Sequence, residues 1–184
     1  MEKYPDVSVN IVGGNHEDLY ELLRFGGADI VINDQRRAFS EEYVNCHPTT
    51  NNCAIEISKR NPIAQLEYVN ISDLKNISCI LIASKNQMDN EMTYYRDVVG
   101  FTGEFLFAEN LEEARLMVVS GKGFMPIEGG ENTINFSQTI SRVILCRGDK
   151  PIKRNYCAFW KADSSDYYVE VFADILKKQF SEQS

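Results

Sequence analysis

Apolar positions along this chain alternate in short runs, and between the runs they recur every three or four residues. Val7-Ser-Val-Asn-Ile-Val12 sets Val7, Val9 and Ile11 on one face, the pattern of a half-buried strand. Gly13 and Gly14 break that pattern, and Asn15 can then cap a helix with Glu17 and Asp18 in its electropositive first turn. Leu19, Leu22 and Leu23 fall at helical spacing, Gly26-Gly27 stops the helix, and residues 28–32 read as a second strand. Residues 7–32 are therefore expected to form a βαβ unit with a right-handed crossover. Further strands are predicted over 53–57, 78–83, 104–108, 123–127, 141–146 and 156–161, and helices over 87–99, 111–119 and 166–180. The helix at Leu111 has a clear start signal, because Asn110 stands three residues before Glu113, close to a capping box. This order of elements predicts an α/β fold with largely parallel sheets. No internal repeat or long linker is visible, so a second lobe has to be made by the chain crossing over and back.

Composition narrows the class. Of 184 residues, 43% are hydrophobic and 25% charged, as in a soluble globular protein. The 27 acidic side chains outnumber the 19 basic ones, for a net charge of -8. A nucleic-acid-binding domain needs a basic face to neutralise phosphates, so this chain by itself is not one. The N-terminus shows no charged segment followed by an apolar run, and nothing approaches the roughly 18 apolar residues of a membrane span. A cytoplasmic location is expected. The five cysteines, Cys46, Cys53, Cys79, Cys146 and Cys157, are odd in number and irregularly spaced. Neither a zinc site nor a disulfide scaffold has that pattern, so reduced, mostly buried thiols are expected.

Several stretches invite a chemical reading. Ser120-Gly-Lys-Gly123 has the composition of a phosphate loop, but it lacks the spacing and follows a helix instead of a strand. Its glycines are better read as a helix end turning into a strand. Gly13-Gly14-Asn15 lies where backbone N–H groups can receive an anion, and both a plain turn with a cap and a ligand contact fit it. His16 and His47 are the only histidines, and no cysteine or serine nucleophile is arranged with them. Glu41-Glu42 and Glu112-Glu113 read as solvated charges, and Trp160 as a core residue. No enzyme, metal site or cofactor is expected.

Four stretches together resemble the effector-binding domain of LysR-type transcriptional regulators, a two-lobed fold like that of type 2 periplasmic binding proteins. Tyr4-Pro-Asp-Val, Leu19 to Leu23 and Gly27-Ala-Asp29-Ile-Val-Ile resemble the family's YPDV…ELLxxGxxDxxI segment. Arg60-Asn-Pro-Ile63-Ala with Ile71-Ser-Asp-Leu74 is similar to its hPLA turn and the i-x-dL that follows. Val118-Val-Ser-Gly121-Lys-Gly123-Phe-Met-Pro126 resembles its GxGxxxxP signature, and Phe159-Trp160-Lys161 precedes a terminal amphipathic helix as in the family. Each motif is weak alone, but their order covers nearly the whole chain.

The resemblance implies two Rossmann-like lobes joined by crossover strands, one from about 1–50 plus 145–184 and the other from about 53–140. It also implies that the family's first strand and helix, and the winged helix-turn-helix before them, lie outside this sequence, so that the domain is N-terminally truncated. Its implied function is to bind a small polar effector, expected to be anionic, in the interlobe cleft and to pass the state to a DNA-binding domain. The implied ligand positions are Asn15 and His16, Thr49 and Thr50, Ser84, Lys85, Asn86 and Gln87, and Glu109 and Asn110. Lys85 is the expected counter-charge for a carboxylate, with Ile140 or Ser141 closing the far side. Homodimers or tetramers of the whole regulator are implied, and DNA binding only through the domain not contained here. The alternative is a free-standing solute-binding protein of the same fold. Because net charge is -8, this chain is expected to show no salt-dependent affinity for duplex DNA in a fluorescence titration; micromolar binding at moderate salt would contradict that.

Overall fold

The computed structural model describes residues 4–14, 16–35, 40–129, 137–164 and 166–181. Its helices are α1 (His16–Arg24), α2 (Met88–Thr93), α3 (Leu111–Val119) and α4 (Tyr167–Ser181). Its strands are β1 (Val31–Asp34), β2 (Tyr43–Ser58), β3 (Tyr68–Asn70), β4 (Cys79–Ile82) and β5 (Phe105–Ala108). They continue with β6 (Met125–Gly129), β7 (Ile140–Arg147), β8 (Lys150–Pro151) and β9 (Lys153–Lys161). The chain divides into two compact units, residues 1–50 with 155–184 and residues 51–154. The long strands β2 and β9 each carry the chain from one unit to the other.

In the first unit, β1 pairs antiparallel with β9, from Val31 opposite Phe159 to Asp34 opposite Tyr156. The apolar face of α1 covers this pair. Leu23, Val31 and Phe159 are buried together, with Leu19, Tyr20, Ala28 and Tyr43 packed around them. The ring of Phe159 lies 5.0 Å from that of Tyr20 and meets Tyr43 edge to face at 6.0 Å. Gly26, at φ 77, lets the chain leave α1 in a left-handed turn, and the Gly27 N–H donates to Leu22 O at 2.7 Å. Trp160 is buried, as its apolar surroundings in sequence suggested.

The strand expected at 7–12 does not form. These residues belong to no strand, and Ile11 is 93% exposed. Alternation specifies a face, but a strand also needs a neighbour to bond, and the described partner of β1 comes from the far end of the chain. The βαβ unit over 7–32 is accordingly absent.

In the second unit, residues 52–58 of β2 are central. They pair antiparallel with β6, from Asn52 opposite Gly129 to Glu56 opposite Met125, and with β7, from Ala54 opposite Ile144 to Ser58 opposite Ile140. β3 lies parallel to β7, and β4 parallel to β5. Phe124, just before β6, bridges in parallel to Cys79. The sheets are thus mixed and not largely parallel, because β2, β6 and β7 run up and back beside one another. Side chains on β4 alternate between two cores. Cys79 and Leu81 join Ile55, Val69, Phe101 and Phe124, whereas Ile80 joins Ala108, Ala114, Val118 and Met125 beneath α3. Each large apolar side chain so buried contributes about 1.5–3 kcal/mol.

The 111–119 helix begins and ends as expected, and Gly121, at φ 82, terminates it. A Cβ at Gly123 would collide with the Ser78 carbonyl oxygen, so the second glycine permits the approach to β4. The helix expected over 87–99 is α2 continued by a π-helical turn, Tyr94–Val99. All five cysteines are free; Cys53, Cys79, Cys146 and Cys157 are buried and Cys46 is half-buried. Burial pushes the Cys79 thiol far up, so it stays protonated and inert.

Among the described residues of this unit, one fully buried side chain is charged. Glu56, with no exposed side-chain surface, sits mid-strand in β2. Arg115 of α3 donates Nε to Glu56 Oε2 at 2.9 Å and Nη2 to Oε1 at 3.0 Å. Arg142 of β7 donates Nε and Nη2 to Oε1 at 3.0 and 2.8 Å. Burial alone raises the Glu56 pKa, but the hydrogen bonds and charges of the two arginines outweigh it and hold the carboxyl below its ordinary value. A depressed folded-state pKa gives stability that is present above the unfolded pKa and lost as pH falls through the folded one. Glu56→Gln is expected to cost about 3 kcal/mol near neutral pH in urea denaturation. The gap between wild type and variant should narrow below about pH 4; a gap independent of pH would show that charge is not the cause.

Candidate functional site

Two turns of the second unit lie side by side. In the parallel pair, Ile82 stands opposite Ala108, and the Ala83 N–H donates to Ala108 O at 3.1 Å. The chain therefore leaves the carboxyl ends of β4 and β5 at the same edge, which brings Ser84, Lys85, Asn86 and Gln87 beside Glu109 and Asn110. Parallel strands commonly receive ligands beyond their carboxyl ends, because helix starts and turn amides converge there.

Each turn is fixed by its own side chains. The Ser84 hydroxyl is 2.6 Å from Asn86 Oδ1 and 2.9 Å from Gln87 Oε1, and the Gln87 N–H closes the turn on Ser84 O at 2.8 Å. Asn110, extended at φ -153 and ψ 172, accepts the Glu113 N–H at 2.9 Å. The Glu113 carboxylate reaches back to the Glu109 N–H at 2.7 Å, so this glutamate closes a capping arrangement as well as facing solvent. Lys85 is exposed and has no ionic partner among the described residues.

The other expected positions lie elsewhere. Asn15 falls outside the described residues, as does the side chain of His16, which opens α1. Thr49 and Thr50 are on the part of β2 that belongs to the first unit. Thr50 Oγ1 donates to Asn155 Oδ1 at 3.0 Å and lies 3.2 Å from His47 Nε2. Asn155 in turn accepts the Gln35 N–H at 2.8 Å through its carbonyl. Ile140 and Ser141 are both buried on β7, and Ile140 packs in the core beneath α3, leaving it no surface for a ligand.

A cavity in the first unit was not foreseen. About 270 Å³ in volume, it opens at the end of β1. Its walls include Tyr20 of α1, Asp34 and Gln35 after β1, Glu42 and Tyr43 at the start of β2, and Phe159 of β9. The run Asn33-Asp-Gln35, polar at the end of an apolar strand, was the one sequence signal of it. Among the described residues, no cluster of histidine, cysteine and carboxylate side chains could hold a metal ion. Likewise, no described helix is long and apolar enough to cross a membrane.

The architecture has close counterparts among solved structures. The LysR family transcriptional regulator HinK of Pseudomonas aeruginosa superimposes with a TM-score of 0.76 at 17% identity, over 100% of this chain and 63% of HinK. The BenM effector binding domain with its effector benzoate gives 0.78 at 13% identity, over 99% and 82% of the two chains. A cysteine mutant of Corynebacterium glutamicum OxyR gives 0.77 at 19%, over 99% and 57%. No curated protein matches the sequence. The mixed α/β fold is therefore that of effector-binding domains of transcriptional regulators. In sequence, the LysR substrate binding domain family model matches residues 1–181, and the chain belongs to that family.

Asn110→Ala removes the cap of α3 and should cost about 1 kcal/mol in urea denaturation, with Asn110→Ser restoring most of it. An Asn110→Ala protein as stable as wild type would show that the turn at β5 is held by other contacts.

Proposed function

We propose that this chain is the effector-sensing module of a LysR-type transcriptional regulator, acting in the cytoplasm on a DNA-binding domain of the same protein and not as an enzyme. The observation that carries this reading is the family match over residues 1–181, combined with the paired turns at the carboxyl ends of β4 and β5. The effector is a small polar metabolite bearing a carboxylate, held by Lys85 with Ser84, Asn86, Gln87, Glu109 and Asn110 around it. Two features favour the anion: the free ammonium of Lys85, and the benzoate carried by the structurally similar BenM domain. An ammonium–carboxylate hydrogen bond contributes about 1.5–3 kcal/mol, enough to select a carboxylate over its amide.

Ligand binding changes a regulator only through a difference in affinity between two states of the protein. A homodimer or tetramer of the whole regulator would present two or four DNA-binding domains to operator DNA. The test is a thermal-shift screen of small carboxylates, followed by calorimetry on wild type and Lys85→Ala. A carboxylate hit whose affinity falls about tenfold or more in Lys85→Ala supports the reading. Hits indifferent to Lys85, or confined to neutral compounds, would remove the anionic effector from it.

A further inference from the structure

The paired turns at the ends of β4 and β5 carry opposite charges that do not pair with each other. Resting on the reading of Lys85 as the anchor of the effector's carboxylate, we propose that the same effector carries an amino group held by Glu109. The ligand class is then an amino acid in its zwitterionic form.

Charge placement is the first argument. Lys85 stands in the turn after β4 and Glu109 in the turn after β5, and the parallel register of Ile82 with Ala108 sets those turns side by side. Neighbouring strands lie about 4.8 Å apart, so the two side chains rise from adjacent points of one edge. Both are exposed, and among the described residues neither the Lys85 ammonium nor the Glu109 carboxylate has an ionic partner. A ligand bearing only a carboxylate would answer half of this arrangement. The surroundings weigh the same way. Across residues 84–91 and 109–113, Lys85 is the single cation beside Asp89, Glu91, Glu109, Glu112 and Glu113. A purely anionic ligand meets like charge all around its anchor, within the reach that salt leaves to such forces, and an ammonium on the ligand offsets it.

The amides assign the two ends. A backbone N–H only donates, so Asn110 Oδ1 is the atom that accepts from Glu113, and Asn110 presents its NH2 group outward. Asn86 Oδ1 is engaged likewise, 2.6 Å from Ser84 Oγ. These two amides therefore offer donors, which suit a carboxylate beside Lys85 and cannot accept the protons of an ammonium. The Glu113 carboxylate is taken up by the Glu109 N–H at 2.7 Å. The Glu109 carboxylate itself is left as the acceptor for the amino group.

The probes are L-alanine, β-alanine and 4-aminobutyrate, which vary the spacing of the two charges. Propionate and butyrate are the parent acids without the amine, and each compound is titrated calorimetrically into the intact chain. At least one amino acid is expected to bind about fivefold tighter than its parent acid, the effect of one exposed ion pair. Glu109→Gln, at an exposed side chain with no described partner, should erase that preference and leave the acid's affinity unchanged; Lys85→Ala should weaken both. Three results overturn the proposal: no amino acid binds up to about 10 mM, the parent acid binds as tightly, or the preference survives Glu109→Gln. Acids that bind through Lys85 with no preference for the amine would remove the amino group and leave the carboxylate-sensing reading standing. Binding of both classes that ignores Lys85→Ala would remove that reading, and this proposal with it.

Discussion

A fully buried carboxylate sits in the middle of the strand on which the larger unit is built. Glu56 is flanked along β2 by Ile55 and Ile57, whose side chains point into the apolar core. Without partners its charge would be among the most costly features of the fold. Arg115 and Arg142 remove that cost because the strand register puts Arg142 directly opposite Glu56, and α3 lays Arg115 over the same carboxylate. Slipping β7 by one residue would turn Arg142 to the other face and leave the carboxylate half-satisfied. The ion cluster therefore fixes which residues of β2 and β7 face each other. Indirectly it also fixes where α3 sits, and with α3 the turn at Asn110.

From that anchored sheet follows the placement of the paired turns. β4 is joined to the sheet through Phe124, in an approach that only glycine at position 123 permits, and β5 is joined to β4. The carboxyl ends of these two strands then share an edge. Ser84 and Asn110 each stabilise their own turn, so the exposed ammonium of Lys85 rises from a backbone that is already ordered. Preorganisation of this kind lowers the entropy lost when a ligand is bound.

The sequence was most informative where local signals were complete. Asn110, Glu113 and Gly121 mark both ends of α3, and the structure follows them. It was least informative where pairing depends on distant residues. Val7 to Val12 has a strand's alternation and no strand, whereas β2 runs as a strand through Pro48 and the polar run Thr49-Thr-Asn-Asn52, where no alternation remains. β3, only three residues long, carries too little pattern to stand out. Among the ligand positions, the grouping of 84–87 with 109–110 came from family resemblance, and a parallel β4–β5 pair accounts for it physically. Beyond the polar run 33–35, which marks one wall, the cavity in the first unit left no trace in the sequence, because its walls are drawn from α1, β1, β2 and β9, with Tyr20 and Phe159 far apart in the chain. No short window contains it.

The antiparallel pairing of Val31 with Phe159 also bears on how the chain is made. Residues 51–154 form a continuous stretch, so the larger unit has all of its sequence once Arg154 has left the ribosome. The smaller unit does not. Its first strand emerges early and must wait for more than a hundred residues until β9 arrives, with the apolar face of α1 uncovered in the meantime. Closing so long a loop is slow, and an uncovered apolar face with an unpaired strand edge during synthesis is prone to aggregate, the hazard that chaperones limit. The unit that contains β1 is thus the last to become protected, and its maturation waits until β9 has been synthesised.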